Sequence, residues 1–142
     1  ENPPDSTEQI LHPEKYTARE EPVDVELAVG LAARMGEGWT LALEDTLGEF
    51  QLAAWLRAHG VESAADAAAG WGGDRVGLLE GPDGRWAIVL ETAWDSEADA
   101  VAFEAAVPAL PNSRVSREGD GVDVAIASDA AALDAVLAAA RA

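Results

Sequence analysis

From Val76 onward the chain twice changes its apolar spacing in the same order, from every second residue to every third or fourth. That order constrains the fold more than any other feature. Val76 and Leu78 begin a strand, Gly81-Pro82-Asp83-Gly84 carries strong turn chemistry, and Trp86, Ile88, Leu90 and Trp94 alternate with Ala87, Val89 and Ala93. Together these make a hairpin. Ser96-Glu97-Ala98-Asp99 has the form of a capping box. It opens a helix whose Ala100, Phe103, Ala106 and Val107 share one face until Pro108 and Pro111 stop it. Arg114–Glu118 is a weaker strand, Glu118-Gly119-Asp120-Gly121 a turn, and Val122, Val124 and Ile126 alternate again. Ser128 or Asp129 then caps a last helix with Ala130, Leu133, Val136, Leu137 and Ala140 inward. Each unit begins with Arg-Val, at Arg75-Val76 and at Arg114-Val115. A strand–strand–helix unit has one apolar sheet face and one apolar helix stripe, and two units side by side bury both. The expected class is α+β: an antiparallel sheet backed by helices, with two consecutive ββα units in the C-terminal half.

The first half is less regular. Residues 1–22 read as an extended arm containing Pro3, Pro4, Pro13 and Pro22. Ser6 or Thr7 caps a short helical turn there, and Pro13 must end it. Ile10, Leu11 and Tyr16, with His12 among them, mark this arm as a docking segment, since a free tail has little use for such side chains. Residues 23–142 form a single α+β domain. Within it, Val23, Val25 and Leu27 suit a half-buried strand, a helical piece covers Gly30–Met35, and Gly36-Glu37-Gly38 breaks the chain. Trp39, Leu41 and Leu43 alternate as a second strand. A helix from Thr46 to His59 carries the stripe Leu47, Phe50, Ala54 and Ala58, with Leu52, Trp55 and Leu56 off it, so the helix is covered on more than one side. Gly60 ends it, and a short helix over Ala64–Ala69 precedes Gly70.

Charge limits the partners. Twenty-seven acidic side chains stand against 9 basic ones, a formal net charge of −18. Binding to phosphates rests on Lys and Arg neutralising them, so nucleic acid and anionic lipid are poor partners. The plain reading of the acidity is a solvated surface that keeps molecules apart; the alternative is a cation or a basic partner. Lys15 is the only lysine, which with the abundant alanine points to a GC-rich, salt-adapted or heat-adapted source. There are no cysteines, so thiol catalysis, disulfides and Cys-ligated zinc are excluded. No apolar run approaches the roughly 20 residues that a bilayer span requires, and no membrane span is expected. The chain opens on Glu1 rather than Met, which fits an upstream segment removed as a signal, an expression boundary or another domain.

Few side chains remain for chemistry. A serine nucleophile needs a neighbouring base, and the only histidines are His12 in the arm and His59 at a helix end. No Gly-x-Ser-x-Gly elbow occurs. Glu8 and His12 are spaced i, i+4 with Glu14 nearby, yet one His is too few for a closed zinc site. Neither an H-E-x-x-H motif nor an Asp-rich calcium loop is present. Carboxylates in proximity, such as Glu44, Asp45 and Glu49, carry little information in so acidic a chain. No catalytic residue, metal ligand or cofactor is assigned. The most singular segment is Gly70-Trp71-Gly72-Gly73-Asp74-Arg75, which lacks the lysine and spacing of a P-loop. In its structural reading, Trp71 plugs the core while Asp74 and Arg75 fix the loop through a charge-assisted hydrogen bond. In its functional reading, Trp71, Asp74 and Arg75 line a binding surface. The structural reading is preferred.

Three segments stand together: Ser6-Thr7-Glu8-Gln9-Ile10-Leu11-His12-Pro13-Glu14-Lys15-Tyr16; Asp45-Thr46-Leu47-Gly48-Glu49-Phe50; and Gly70–Arg75 with Trp94-Asp95-Ser96 and Asp99-Ala100 downstream. In combination they resemble the C-terminal region of a largely uncharacterised family of bacterial extracytoplasmic proteins whose upstream part looks like a zinc metallopeptidase domain. The resemblance implies an extracytoplasmic location, secreted or in the cell envelope, and an arm that joins an upstream domain to this one. The metal-binding helix of that domain is absent from these residues, so no catalytic residue carries over. The expected function is a non-catalytic accessory or interaction domain, its partner an upstream domain or another protein. One alternative is a free-standing, lipoprotein-like module that binds a ligand or protein through Trp-bearing loops. Another is a small metal-dependent hydrolase using carboxylates, with Glu44, Asp45, Glu49 and Asp74 as candidates.

Overall fold

Gly81-Pro82-Asp83-Gly84 folds the chain back on itself, so that β2 (Trp71–Glu80) and β3 (Trp86–Trp94) pair antiparallel along their length. The Ser96 hydroxyl then accepts the Asp99 amide at 3.1 Å and starts α5 (Glu97–Ala106). The same order follows in β4 (Ser113–Glu118), β5 (Gly121–Ala127) and α6 (Ala130–Arg141). The Asp129 carboxylate caps α6 by accepting the Ala132 amide at 2.7 Å. Earlier in the chain lie α1 (Thr7–Leu11), α2 (Leu31–Met35), β1 (Thr40–Asp45), α3 (Gly48–Ala58) and α4 (Ala64–Ala68). The computed structural model describes residues 6–14 and 21–141. The five strands form one antiparallel sheet in the order β1-β2-β3-β5-β4. Sheet and helices together give the α+β class expected from the alternation.

The helices of the two ββα units go to opposite faces of the sheet. With α2, α6 covers the face carrying Leu79, Ala87, Val89, Ala125 and Ala127. With α3 and α4, α5 covers the face carrying Trp71, Leu90, Trp94, Val122 and Val124. β3 and β5 are therefore buried on both sides, and this is why they read as nearly unbroken apolar runs. On the α5 face Phe103 is 0 % exposed and stacks on Trp94 with ring centroids 4.5 Å apart. Trp94 is satisfied within the core: its indole Nε1 donates to the Thr92 hydroxyl at 2.7 Å, which donates in turn to the Val122 carbonyl at 2.6 Å.

Several expectations are corrected. Val23–Leu27 is not a strand. β1 already fills the β2 edge from Val76 onward, which leaves room for one ladder-like bond, from the Val23 amide to the Gly72 carbonyl at 2.6 Å. The segment instead crosses the α6 face of β2, where Gly73 and Gly77 admit it: a Cβ at Gly73 would meet the Val23 carbonyl, and one at Gly77 would come within 2.7 Å of the Leu27 side chain. Gly70–Arg75 is mostly strand rather than loop, because β3 is long enough to pair with it as far as Trp71, across a bulge between Trp71 and Gly73. β1 is exposed throughout, and a register shift between Leu41 and Leu43 sends these two side chains to opposite faces. In α3 the buried face is Leu52, Ala53 and Leu56, while Phe50, Ala54 and Ala58 are exposed. In α6 Ala130 is exposed and Ala132 takes its place in the core.

Past the end of α6 the sheet carries charge. Arg75, Glu91, Asp123 and Ser116 are successive cross-strand partners on the α6 face. Partial burial pushes the Glu91 carboxyl up, and Asp123 adds to the shift; burial likewise raises Asp123, reinforced by Glu118. Across the molecule the Arg85 hydrogen bond, then the Ala132 amide, hold the Asp129 carboxyl at about 2.

Two outcomes follow from this packing. Phe103→Ala is expected to cost about 3–5 kcal/mol in urea unfolding; a loss below about 1 kcal/mol would show that this ring is not a core element. The second concerns pH. A raised folded pKa means the native state holds those protons longer than the unfolded chain, so the penalty from Glu91 and Asp123 is absent below their unfolded pKa values and grows as pH rises through the folded ones. Asp129 acts oppositely: its contribution is present above its unfolded value and lost as pH falls towards 2. Stability is expected to peak at about pH 4–5, and Glu91→Gln should raise the melting temperature at pH 7. A melting temperature that climbs steadily from pH 5 to pH 7 in the wild type contradicts this.

Candidate functional site

β1 ends at Asp45, opposite Val76, and the chain turns away from the sheet through Thr46 and Leu47 into α3. The turn is fixed from β2. Asp74 lies on the α5 face, and its carboxylate accepts the Leu47 amide at 2.7 Å (Oδ1) and the Gly48 amide at 2.7 Å (Oδ2). Oδ2 also accepts the Trp71 indole N–H at 2.8 Å. Asp74 thus caps α3 from a neighbouring strand, where the partial positive charge of the helix start favours a carboxylate. The Thr46 hydroxyl donates to the Asp74 carbonyl at 3.3 Å and completes the junction.

Successive residues of a strand point to opposite faces. Asp74 and Arg75 therefore cannot form the bond expected of them, and each finds another partner. Arg75 lies on the α6 face, where its Nε donates to Glu44 Oε1 at 3.0 Å. Trp71 is buried as the structural reading required. All three residues also line one cleft of about 770 Å³, together with Glu44 and the Val23–Leu27 segment. Glu44 was legible only as a member of an acidic run, and nothing in the sequence marked residues 23–27 as a wall. The register of β1 on β2 brings them together.

Among the described residues the arm meets the domain by its polar side and through His12, one of the expected docking residues. Glu8 and Gln9 of α1 are buried, whereas Ile10 is 63 % and Leu11 47 % exposed. His12 Nε2 lies 2.7 Å from Glu49 Oε1, and its Nδ1 lies 3.5 Å from Glu14. Tyr16 falls outside the described residues. Because the two carboxylates approach opposite nitrogens of one ring, they do not converge on a point that a metal could share. Among the described residues no group of three His, Asp or Glu is placed to hold a metal ion. His59 ends α3 and meets Trp55 edge-on with centroids 5.8 Å apart. Of the hydrolase candidates, Glu44 and Asp74 line the same cleft, but each has a structural partner: Glu44 holds Arg75 and Asp74 caps α3, while Asp45 accepts the Thr46 amide at 2.7 Å and Glu49 meets His12.

Asp74→Ala is expected to cost about 3 kcal/mol, since it leaves two backbone amides and an indole N–H without their acceptor, with a smaller loss in Asp74→Asn. Urea unfolding measures both. A change under about 1 kcal/mol would mean that water replaces the carboxylate at no penalty.

Among the described residues no helix is long and apolar enough to cross a membrane. No curated protein and no solved structure matches the chain. Residues 39–137 match a family described as a domain of unknown function (DUF8575), running from the residue before β1 to the middle of α6. The chain belongs to the DUF8575 family.

Proposed function

We propose that this chain is a non-catalytic interaction domain that works as a ligand-binding module through the cleft at the end of β1. The observation that carries the proposal is the cleft itself. At about 770 Å³ it lies within the range of small-molecule sites, and it brings an Arg–carboxylate pair and backbone groups together at one place beside the buried Trp71. The Gly72 carbonyl is already engaged by the Val23 amide and the Asp74 carbonyl by Thr46, so the open β2 edge is poorly suited to adding a strand. A small polar ligand, oriented by Arg75 and Glu44, suits the site better. Asp74 supports a binding role rather than acid–base chemistry, since its carboxylate already accepts three hydrogen bonds.

A second reading, an accessory domain attached to a metallopeptidase-like neighbour in the bacterial envelope or a secreted protein, rests on the resemblance of the three sequence segments. The packing of α1 on α3 through His12 and Glu49 favours the self-contained module over that reading. A coding sequence for a metallopeptidase-like domain immediately upstream would reverse the preference.

A thermal-shift screen of small polar compounds tests the binding role. A true ligand is expected to stabilise the wild type, to bind about tenfold more weakly to Arg75→Leu after loss of one charge-assisted contact, and to be unaffected by Arg57→Leu on the exposed side of α3. Stabilisation that survives Arg75→Leu unchanged, or its absence for every compound, counts against the cleft.

A further inference from the structure

One cross-strand row of the sheet is apolar over four strands, and its members on β1, β2 and β3 lie beyond the helical cover. Leu43 on β1, Leu78 on β2, Ile88 on β3 and Ile126 on β5 are successive partners on the α5 face. Leu43 is 54 % exposed, and Trp86, the next residue of β3 on the same side, is 37 % exposed. Leu78, Ile88 and Ile126 are half-buried; Ile126 packs against the α5-face core, whereas Leu78 and Ile88 belong to neither hydrophobic core. The cause is the reach of the helices: α3, α4 and α5 gather over Trp71, Leu90, Trp94 and Val124 and reach no further along the row than Ile126. Two inter-strand spacings make the uncovered part of the row about 10 Å long. Isolated exposed apolar side chains are ordinary, whereas a contiguous row across a sheet marks a contact surface.

Charge selects the occupant. Asp45 follows Leu43 and Glu80 follows Leu78 on the same side of their strands, and both are exposed. The neighbouring arginines are held elsewhere, Arg75 by Glu44 and Arg85 by Asp129. A second copy of a chain with net charge −18 would bring these carboxylates against their own kind. An anionic lipid surface would meet the same repulsion. We propose that the Leu43–Leu78–Ile88 row, with Trp86, is a docking surface for a cationic amphipathic segment of another protein. The apolar side of that segment covers the row while its Lys and Arg side chains meet Asp45 and Glu80. This surface shares no residue with the cleft, so its test leaves the ligand-binding proposal untouched.

The experiment titrates the full chain against a fluorescently labelled Leu/Lys amphipathic peptide of about five helical turns, read by anisotropy at physiological ionic strength. Leu43→Asp is compared with Val101→Asp, which places the same added charge at an exposed apolar residue of α5 outside the row. Leu43→Asp is expected to weaken binding about tenfold or more and Val101→Asp to leave it unchanged. Replacing Asp45 and Glu80 together by Asn and Gln should weaken binding and flatten its salt dependence. Leu43→Ala, set against Val101→Ala, serves where the aspartate variant melts early, and the same ranking is required. Equal effects at both positions would reduce the binding to unspecific attraction and overturn the proposal, as would no binding to the wild type. A wild-type dimer in sedimentation that Leu43→Asp dissociates would assign the row to a second copy instead.

Discussion

The Asp74 carboxylate takes hydrogen bonds from the Leu47 and Gly48 amides and the Trp71 indole, all within 2.8 Å. A strand residue thereby sets where α3 begins and how it lies against β2. Leu52 and Leu56 of α3 then reach Trp71 and the Trp94–Phe103 stack, closing the core on that side of the sheet. A carboxylate this deeply buried is tolerated only because each oxygen has donors. The same donors make Asp74 part of the framework, and the cleft is left with Arg75 and Glu44 as its charged pair.

Both open places on the molecule arise where covering elements stop. β1 is shorter than β2 and leaves the Trp71–Arg75 stretch beyond its end. There the Val23–Leu27 segment lies on the sheet only because Gly73 and Gly77 have no side chains to keep it away. On the other face, the three helices that pack around Phe103 do not extend over Leu43, Leu78 and Ile88. The first opening is bounded by the Arg75–Glu44 pair and the Val23–Leu27 segment. The second is a flat apolar row between carboxylates and suits another polypeptide. A sheet with helices on both faces but unequal strands offers both without any change to its core.

Local signals were legible wherever the cause lay within a few residues. The Gly81–Gly84 turn and the Ser96 and Asp129 caps act at separations of three or four residues, and each stands where the spacing put it. The faces of elements were read less well. The α3 stripe differs from the expected one because Leu52 and Leu56, not Phe50, join the core that holds Trp71, and helical periodicity admits either set. The Val23–Leu27 alternation is that of a strand, but the edge it needed was already occupied by β1. In the candidate site, Trp71, Asp74 and Arg75 were singled out by their unusual setting among glycines. Their partners were not, because Glu44 lies 31 residues from Arg75 and Gly48 lies 26 from Asp74.

By itself the sequence determined the α+β class, the hairpins, the Ser96 cap, the shortage of reactive side chains and the strong negative charge, because each depends on residue identity or on contacts close along the chain. Tertiary structure alone decided that the ββα helices take opposite faces, that Asp74 turns away from Arg75, that the arm packs through Glu8 and His12 with Ile10 and Leu11 outward, and that an apolar row lies beyond the helices. These depend on strand register and on which surfaces compete for the same cover. Register flips a side chain from one face to the other with a shift of one residue, and no local pattern carries that choice.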